Sequence, residues 1–258
     1  MIVMAVGVHL PRPVILVLSL ALILGHNLFD AVRADSLGAF AGWWRFLHVP
    51  GFVIPGVLFI GYPLVPWVAV MAAGYLLARV YEWDPAVRQR FLLWLGVSVT
   101  VAFIALRFVN GYGDPLPWSS QRTTGLTIAS FLNVRKYPPS LLFLLMTIGP
   151  AMIALALAEN GRGRVARWLA VYGRVPLFFY VTHIFVAHVF AVVLAFAQSG
   201  HFRRIKVITD SASLPDWYGL PLPGVYLIWA AVVILMYFPC RRFARLKDTR
   251  TDWWLKYL

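Results

Sequence analysis

Tyr180, His183 and His188 lie within the run VPLFFYVTHIFVAHVFAVVLAFA, Val175 to Ala197, which has no Lys, Arg, Asp or Glu. A titratable group in so long an apolar segment is costly without a partner, so its default reading is functional. Tyr180 and His183 are three apart and share a helix face, where the phenol can orient the imidazole or pass it a proton. His183 and His188 are five apart, about 140° around a straight helix, unlike the i, i+4 pair of a zinc site. The spacing argues against a shared metal, and no metal is expected. The competing reading is packing, with each ring hydrogen-bonded to a neighbouring helix.

A second set sits in GHNLFD, where His26 and Asp30 are four apart with Asn27 beside them. On an α-helix they share a face, and a carboxylate accepting from one ring nitrogen builds a general base. A polar helix end at the membrane interface is the plainer alternative. His26 lies about 20 Å from one membrane face, and His188 at a similar depth on a parallel span, so the two could meet in one cavity. A third set surrounds the turn-forming NGYGDP: Arg107, Asn110, Asp114, Trp118, Arg135, Lys136 and Tyr137. Cations among aromatics can hold a phosphorylated or acidic ligand. More often such side chains snorkel to headgroups.

The elements that must position these residues are membrane helices. The chain is 61% hydrophobic with 13% charged residues, about half the charge of an ordinary soluble domain, and its mean hydropathy is +0.76. Its 11 Trp and 11 Tyr suit two membrane interfaces. Six full spans are read at about Val14–Phe29, Phe52–Ala78, Phe91–Leu106, Leu141–Ala158, Val175–Ala197 and Gly224–Phe238. A short piece, Ile2–Leu10, precedes them and is too brief to cross. It lacks the basic start and cleavage site of a signal peptide and reads as the end of a helix whose beginning is missing. The second span holds Pro55, Pro63 and Pro66 with three glycines, which predicts a re-entrant or kinked start, or a helix bent around a cavity. The fold class is therefore all-α: a polytopic helix bundle with a partial N-terminal helix, treated as one domain over residues 1–258.

The net charge of +13 is explained by membrane orientation, and no nucleic acid partner is expected. Arg12, then Arg79, Arg88 and Arg90, the Arg162–Arg174 loop and the tail from Arg241 to Lys256 lie on one side. The smaller set, Arg33, Arg45, Arg107, Arg122, Arg135, Lys136, Arg203, Arg204 and Lys206, is spread over longer loops on the other. The positive-inside rule makes the first side, with the C-terminus, cytoplasmic. The single Cys240 excludes an intrachain disulfide and a cysteine metal cluster.

The stretches NGYGDPLPW, SFLNVRKYPPSLLFLLMTIGPAMIALALAE, YGRVPLFFYVTHIFVAH and DWWLKYL together resemble a bacterial group of multi-pass membrane proteins. That group is related to the heparan-α-glucosaminide N-acetyltransferase catalytic domain and to other membrane acyltransferases. The likeness runs from GVHLPR to the C-terminus. It implies an inner-membrane acyltransferase that takes an acetyl group from acetyl-CoA in the cytoplasm and places it on a glycan-like acceptor across the membrane, with histidine as base or transient acyl carrier. Family members begin with further helices and a His-bearing region that this chain lacks, so the chain is expected to be the C-terminal two-thirds of a longer domain. The family's F-Y-x-x-H-x-x-x-x-H pattern falls on His183 and His188, and GHNLFD supplies His26 and Asp30. The bilayer, an acyl donor, a glycan-like acceptor and a second copy of the chain are the expected partners. The alternatives are a proton-coupled transporter or channel subunit, or a scaffold without chemistry; one broken span without internal repeats favours the enzyme.

Orientation is testable with Ser119→Cys and Thr249→Cys. An impermeant thiol reagent added to intact cells should label position 119 and spare 249; the opposite pattern would invert the topology.

Overall fold

The structure, a computed structural model, describes residues 2–54, 56–200, 218–250, 252 and 255. Pro55, the loop residues Arg203, Arg204 and Lys206, and most of the terminal DWWLKYL, Lys256 included, lie outside them. The chain is all-α and polytopic. Its described residues contain six helices long and apolar enough to cross a membrane: Arg12–Phe29, Leu64–Glu82, Pro85–Val109, Leu141–Ala158, Pro176–Ser199 and Leu222–Thr249. It divides into two compact units, Met1–Asn160 and Gly161–Leu258.

In the first unit α1 (Ile2–Gly7) ends before Pro11, and α2 (Arg12–Gly25) opens with Pro13 in its first turn, where a missing N–H costs nothing. The helix then tightens into a 3-10 turn over His26–Phe29. A second 3-10 segment (Ala34–Phe40) leads into α3 (Ala41–Leu47). The second span differs from the sequence expectation. Gly51–Ile54 (β1) and Leu58–Ile60 (β2) form an antiparallel hairpin, with Phe52 opposite Phe59. Helix α4 begins only at Leu64, with Pro63 as its N-cap and Pro66 in its first turn, and runs to Leu77. The proline- and glycine-rich start therefore leaves the helix altogether rather than bending it around a cavity.

Helix α5 (Pro85–Val109) starts at Asp84, whose carboxylate accepts from the amides of Ala86 and Val87, and stops at Asn110, which adopts the left-handed conformation with φ 58°. A short α6 (Thr124–Leu132) is capped by Thr123. Helix α7 (Leu141–Ala158) is capped by Ser140, whose hydroxyl accepts from Phe143 N at 3.0 Å. Helices α5 and α7 make the most extensive helix pair. They close on glycine: a Cβ on Gly96 would lie 2.8 Å from the Gly149 carbonyl, and one on Gly149 would lie 2.9 Å from Thr100 N. Where lipid replaces water, such close backbone approach is a main source of helix attraction. At the other end of α5, Arg88 Nε donates to Glu159 at 2.9 Å and a second guanidinium N–H completes a bidentate pair. That guanidinium holds the Glu159 carboxyl below the usual carboxylate range.

In the second unit α8 (Arg164–Arg174) and α9 (Pro176–Ser199) pack on α10 (Leu222–Thr249). Tyr172 donates to Val233 O at 2.7 Å, and Phe178 stacks on Phe243. The core is Val175, Val232, Met236, Cys240 and Ala244.

The glycine crossing gives a graded test. Gly149→Ala should destabilise the detergent-purified protein by about 1–3 kcal/mol through overpacking. Gly125→Ala, in α6 with open space around its Cβ position, should be neutral or stabilising by up to about 1 kcal/mol. Equal thermal midpoints for the two variants would show that the crossing is loose.

Candidate functional site

His26, Asp30 and His48 form a cluster at the end of the first span. His26 and His48 are both buried, with 2% of their surface exposed. The Nδ1 atom of His26 lies 3.1 Å from Leu22 O and 3.0 Å from Ile23 O, and its Nε2 lies 2.8 Å from Pro139 O. Carbonyl oxygens only accept, so a ring nitrogen bonded to one must carry a proton. An imidazolium satisfies both sides of His26 at once and a neutral ring satisfies one. This corrects the sequence reading of His26 as a base held by Asp30, because neither nitrogen offers a lone pair to a substrate.

The physical reason lies in the backbone. Residues 26–29 are 3-10 rather than α, and at three residues per turn it is i and i+3 that eclipse. Asn27, not His26, therefore meets Asp30: Asn27 Nδ2 donates to Asp30 Oδ2 at 2.6 Å. The other end of the Asn27 amide accepts from Leu141 N at 2.8 Å. Asp30 Oδ1 faces His48 Nε2 at 3.4 Å, an ion-pair separation without hydrogen-bond alignment. Burial alone would raise the Asp30 carboxyl, but His48 and Asn27 more than offset that and hold it below the usual carboxylate range. The pair places a carboxylate beside an imidazole at ion-pair distance. His48 was not singled out from sequence. Its signal is an ionisable ring at the end of the aromatic stretch WWRFLHVP, and in the structure Trp44 lies over it with ring centroids 5.0 Å apart.

A cavity of about 270 Å³ opens beside the cluster, lined by His26, His48, Phe29 and Trp44 among apolar neighbours from α2, α3 and α4. Tyr112 donates its hydroxyl to Leu24 O near this end of α2.

The NGYGDP set is placed differently from its expected ligand-binding role. Arg107 is 1% exposed. Its guanidinium donates to four backbone carbonyls: Phe131 at 2.9 Å, Leu116 at 2.9 Å, Ser130 at 3.0 Å and Asn133 at 2.8 Å. Asn110 exchanges two hydrogen bonds with the Trp118 backbone, and the Trp118 indole donates to Arg107 O at 2.8 Å. Asp114 accepts from Leu116 N and from Arg135 N at 2.7 Å. Gly113, with φ 93°, lets its carbonyl accept from Leu142 N at 2.9 Å. These side chains therefore build the loop that carries Pro139 and leave a ligand little to bind. Arg135, Lys136 and Tyr137 stay exposed. The Lys136 ammonium sits 5.2 Å from the Tyr137 ring centre, and the Tyr137 hydroxyl is 3.3 Å from that of Tyr62. That hydroxyl and the ammonium lower the Tyr137 phenol from its ordinary value.

In the second unit, the Nδ1 atom of His183 donates to Phe179 O at 2.9 Å, and the ring stacks on Phe179. In the neutral ring this bond fixes the Nδ1–H tautomer and leaves the Nε2 lone pair for chemistry. Tyr180 approaches only ring to ring, at 5.8 Å, so the expected phenol contact is replaced by the carbonyl one turn back. His188 is exposed on α9. His26 and His188 belong to different units.

The role of Arg107 can be checked by substitution. Arg107→Gln should lower the thermal midpoint in detergent, with about 3 kcal/mol or more lost as buried carbonyls go unpaired. Arg135→Gln and Lys136→Gln should each stay within about 0.5 kcal/mol of the unmutated protein. An Arg107→Gln variant of unchanged stability would return that residue to ligand binding.

Compared with protein-family models, curated proteins and solved structures, the chain matches none, so the reading of the site rests on its own geometry.

Proposed function

We propose that the chain is a membrane-embedded acyltransferase of a bacterial inner membrane, its C-terminus cytoplasmic, that takes an acetyl or larger acyl group from a cytoplasmic coenzyme A thioester whose acyl end reaches the outward side, where Asp30 and His48 lie, and passes it to a sugar-like acceptor across the membrane. The observation that carries this reading is His48 in the wall of a cavity, with the Asp30 carboxylate 3.4 Å from its Nε2. Acyl transfer needs a base that takes a proton from the acceptor hydroxyl or amine as it attacks, and then returns it to the leaving group. With Asp30 facing Nε2, the other nitrogen of His48 is left for that exchange. The acceptor oxygen bonds to the thioester carbonyl carbon and its proton passes to His48. The C–S bond then breaks, and the departing thiolate takes the proton from the imidazolium. The products are an ester, or an amide from an amine, and free coenzyme A thiol. Asp30 stabilises the imidazolium that forms between the two steps.

His26 has a positioning role here. Its bonds to Leu22, Ile23 and Pro139 fix the helix end that carries Asn27 and Asp30. Arg135 and Lys136, exposed on the segment leading to Pro139, are the groups offered to an anionic part of donor or acceptor.

Thioester turnover by the detergent-purified protein tests the assignment. His48→Ala should reduce turnover by about 10²–10⁴-fold in a monodisperse sample, with partial rescue by added imidazole. Asp30→Asn should give a smaller loss. Near-normal turnover in folded His48→Ala, together with loss in His183→Ala, would move the chemistry to the second unit and overturn the assignment.

A further inference from the structure

We infer that the cavity beside His48 holds a saturated aliphatic chain of about ten carbons, the tail of the acyl group being transferred. The source of the chain rests on the acyl-transfer reading; the fit does not.

The cavity's walls away from the histidines are aliphatic, including Ala21, Leu22, Leu28, Leu47 and Val65. From Ala21 to Leu28 they follow α2 and its 3-10 extension over about 10 Å. The two histidines lie together in the wall: His26 and His48 have ring centroids 6.2 Å apart, with Phe29 and Trp44 against His48. The cavity is open at its rim, where Leu28 and Phe29 are exposed, and a mostly apolar lining of this kind favours apolar guests. On the scale by which about 150 Å³ accepts the six carbons of benzene, about 270 Å³ takes roughly ten carbons. An acetyl group would leave most of it empty.

Gly25 lines the same cavity and shows where it can be narrowed. A Cβ built there meets nothing within 4 Å, although α2 packs on α4 along its length. The backbone at Gly25 has φ −102°, which any residue adopts, so no turn demands a glycine. Its lack of a side chain leaves a channel on the face that also carries Ala21, one turn earlier. A larger side chain at position 25 should shorten the channel without disturbing the backbone.

This makes chain length the readout. Acetyl-, octanoyl-, decanoyl- and palmitoyl-CoA should be turned over with a preference for octanoyl and decanoyl. Gly25→Leu should lower the decanoyl-to-acetyl turnover ratio about tenfold or more, as expected when a pocket loses room for several methylenes. Gly25→Ala should fall between, which keeps the test open if the leucine variant folds poorly. A readout without turnover is crosslinking by decanoic acid carrying a terminal diazirine. It should label peptides covering Leu22–Leu28 or Trp44–Leu47, and labelling should drop in Gly25→Leu.

Competition by decanoyl-CoA would assign the chain to the donor. Labelling by a diazirine phospholipid that decanoyl-CoA does not displace would give the same aliphatic occupancy to a bilayer lipid and overturn the donor as its source. Turnover of acetyl-CoA with an unlabelled cavity and an unchanged ratio in Gly25→Leu would overturn the inference while leaving acyl transfer intact. Labelling that Gly25→Leu removes, in a protein that turns over no thioester, would keep the cavity assignment and remove the acyl-transfer reading.

Discussion

The carbonyl oxygen of Pro139 is the point on which the first unit depends. Two helix pairs, α2 with α4 and α5 with α7, each pack along their own length. Strong polar links between the pairs lie at one end. His26 reaches Pro139 O, Leu141 N reaches Asn27, Tyr112 reaches Leu24 O, and Tyr62 meets Tyr137. In a lipid surrounding no water replaces a lost partner, so each bond made there is expensive to break. His26 has carbonyls on both sides of its ring, and its burial forces it to keep them. The chemistry-bearing residues follow from that joint: Asn27 and Asp30 come next along the chain, and His48 packs across from them.

The loop after α5 serves the same joint from the other side. A buried guanidinium with four carbonyl acceptors is a local clamp. Arg107 gathers the carbonyls of residues 116, 130, 131 and 133. Asp114 then takes Arg135 N, and Ser140 N donates to Arg135 O. The outcome is a defined position for Pro139 and a capped start for α7. The charge on Arg107 is thereby used to order backbone, which is why a cation near the membrane surface here is not a free anion site.

The spans were legible because apolar runs of sufficient length have one solution in a bilayer, and the six helices fall where the runs do. The stretch from Phe52 was not. Its residues are apolar enough to read as membrane helix, yet Gly51, Gly56 and Gly61 with Pro63 favour turns, and a hairpin satisfies the backbone where a helix would break. The pairing of His26 with Asp30 failed for a finer reason. Spacing of four means one face only on an α-helix, and the switch to 3-10 after Gly25 rotates the partner to Asn27. His48 was invisible because a loop residue far from any motif acquires meaning only when the chain folds it against Asp30. Tyr180 and His183 show the reverse case. The spacing did place their rings together, but the backbone carbonyl of Phe179 is a nearer acceptor than the phenol.

The two histidines of the cluster divide the work according to what faces them. His26 has carbonyl oxygens at both nitrogens and is held between α2 and Pro139. His48 has a carboxylate near one nitrogen and the cavity at its side, which is the geometry the proposed base requires. A cluster of two histidines and one carboxylate thus resolves into one ring that holds the helix end and one that faces the carboxylate and the cavity. The carboxylate can serve the base because Asn27, bonded to Asp30 at one end and to the first amide of α7 at the other, keeps it from turning back toward His26.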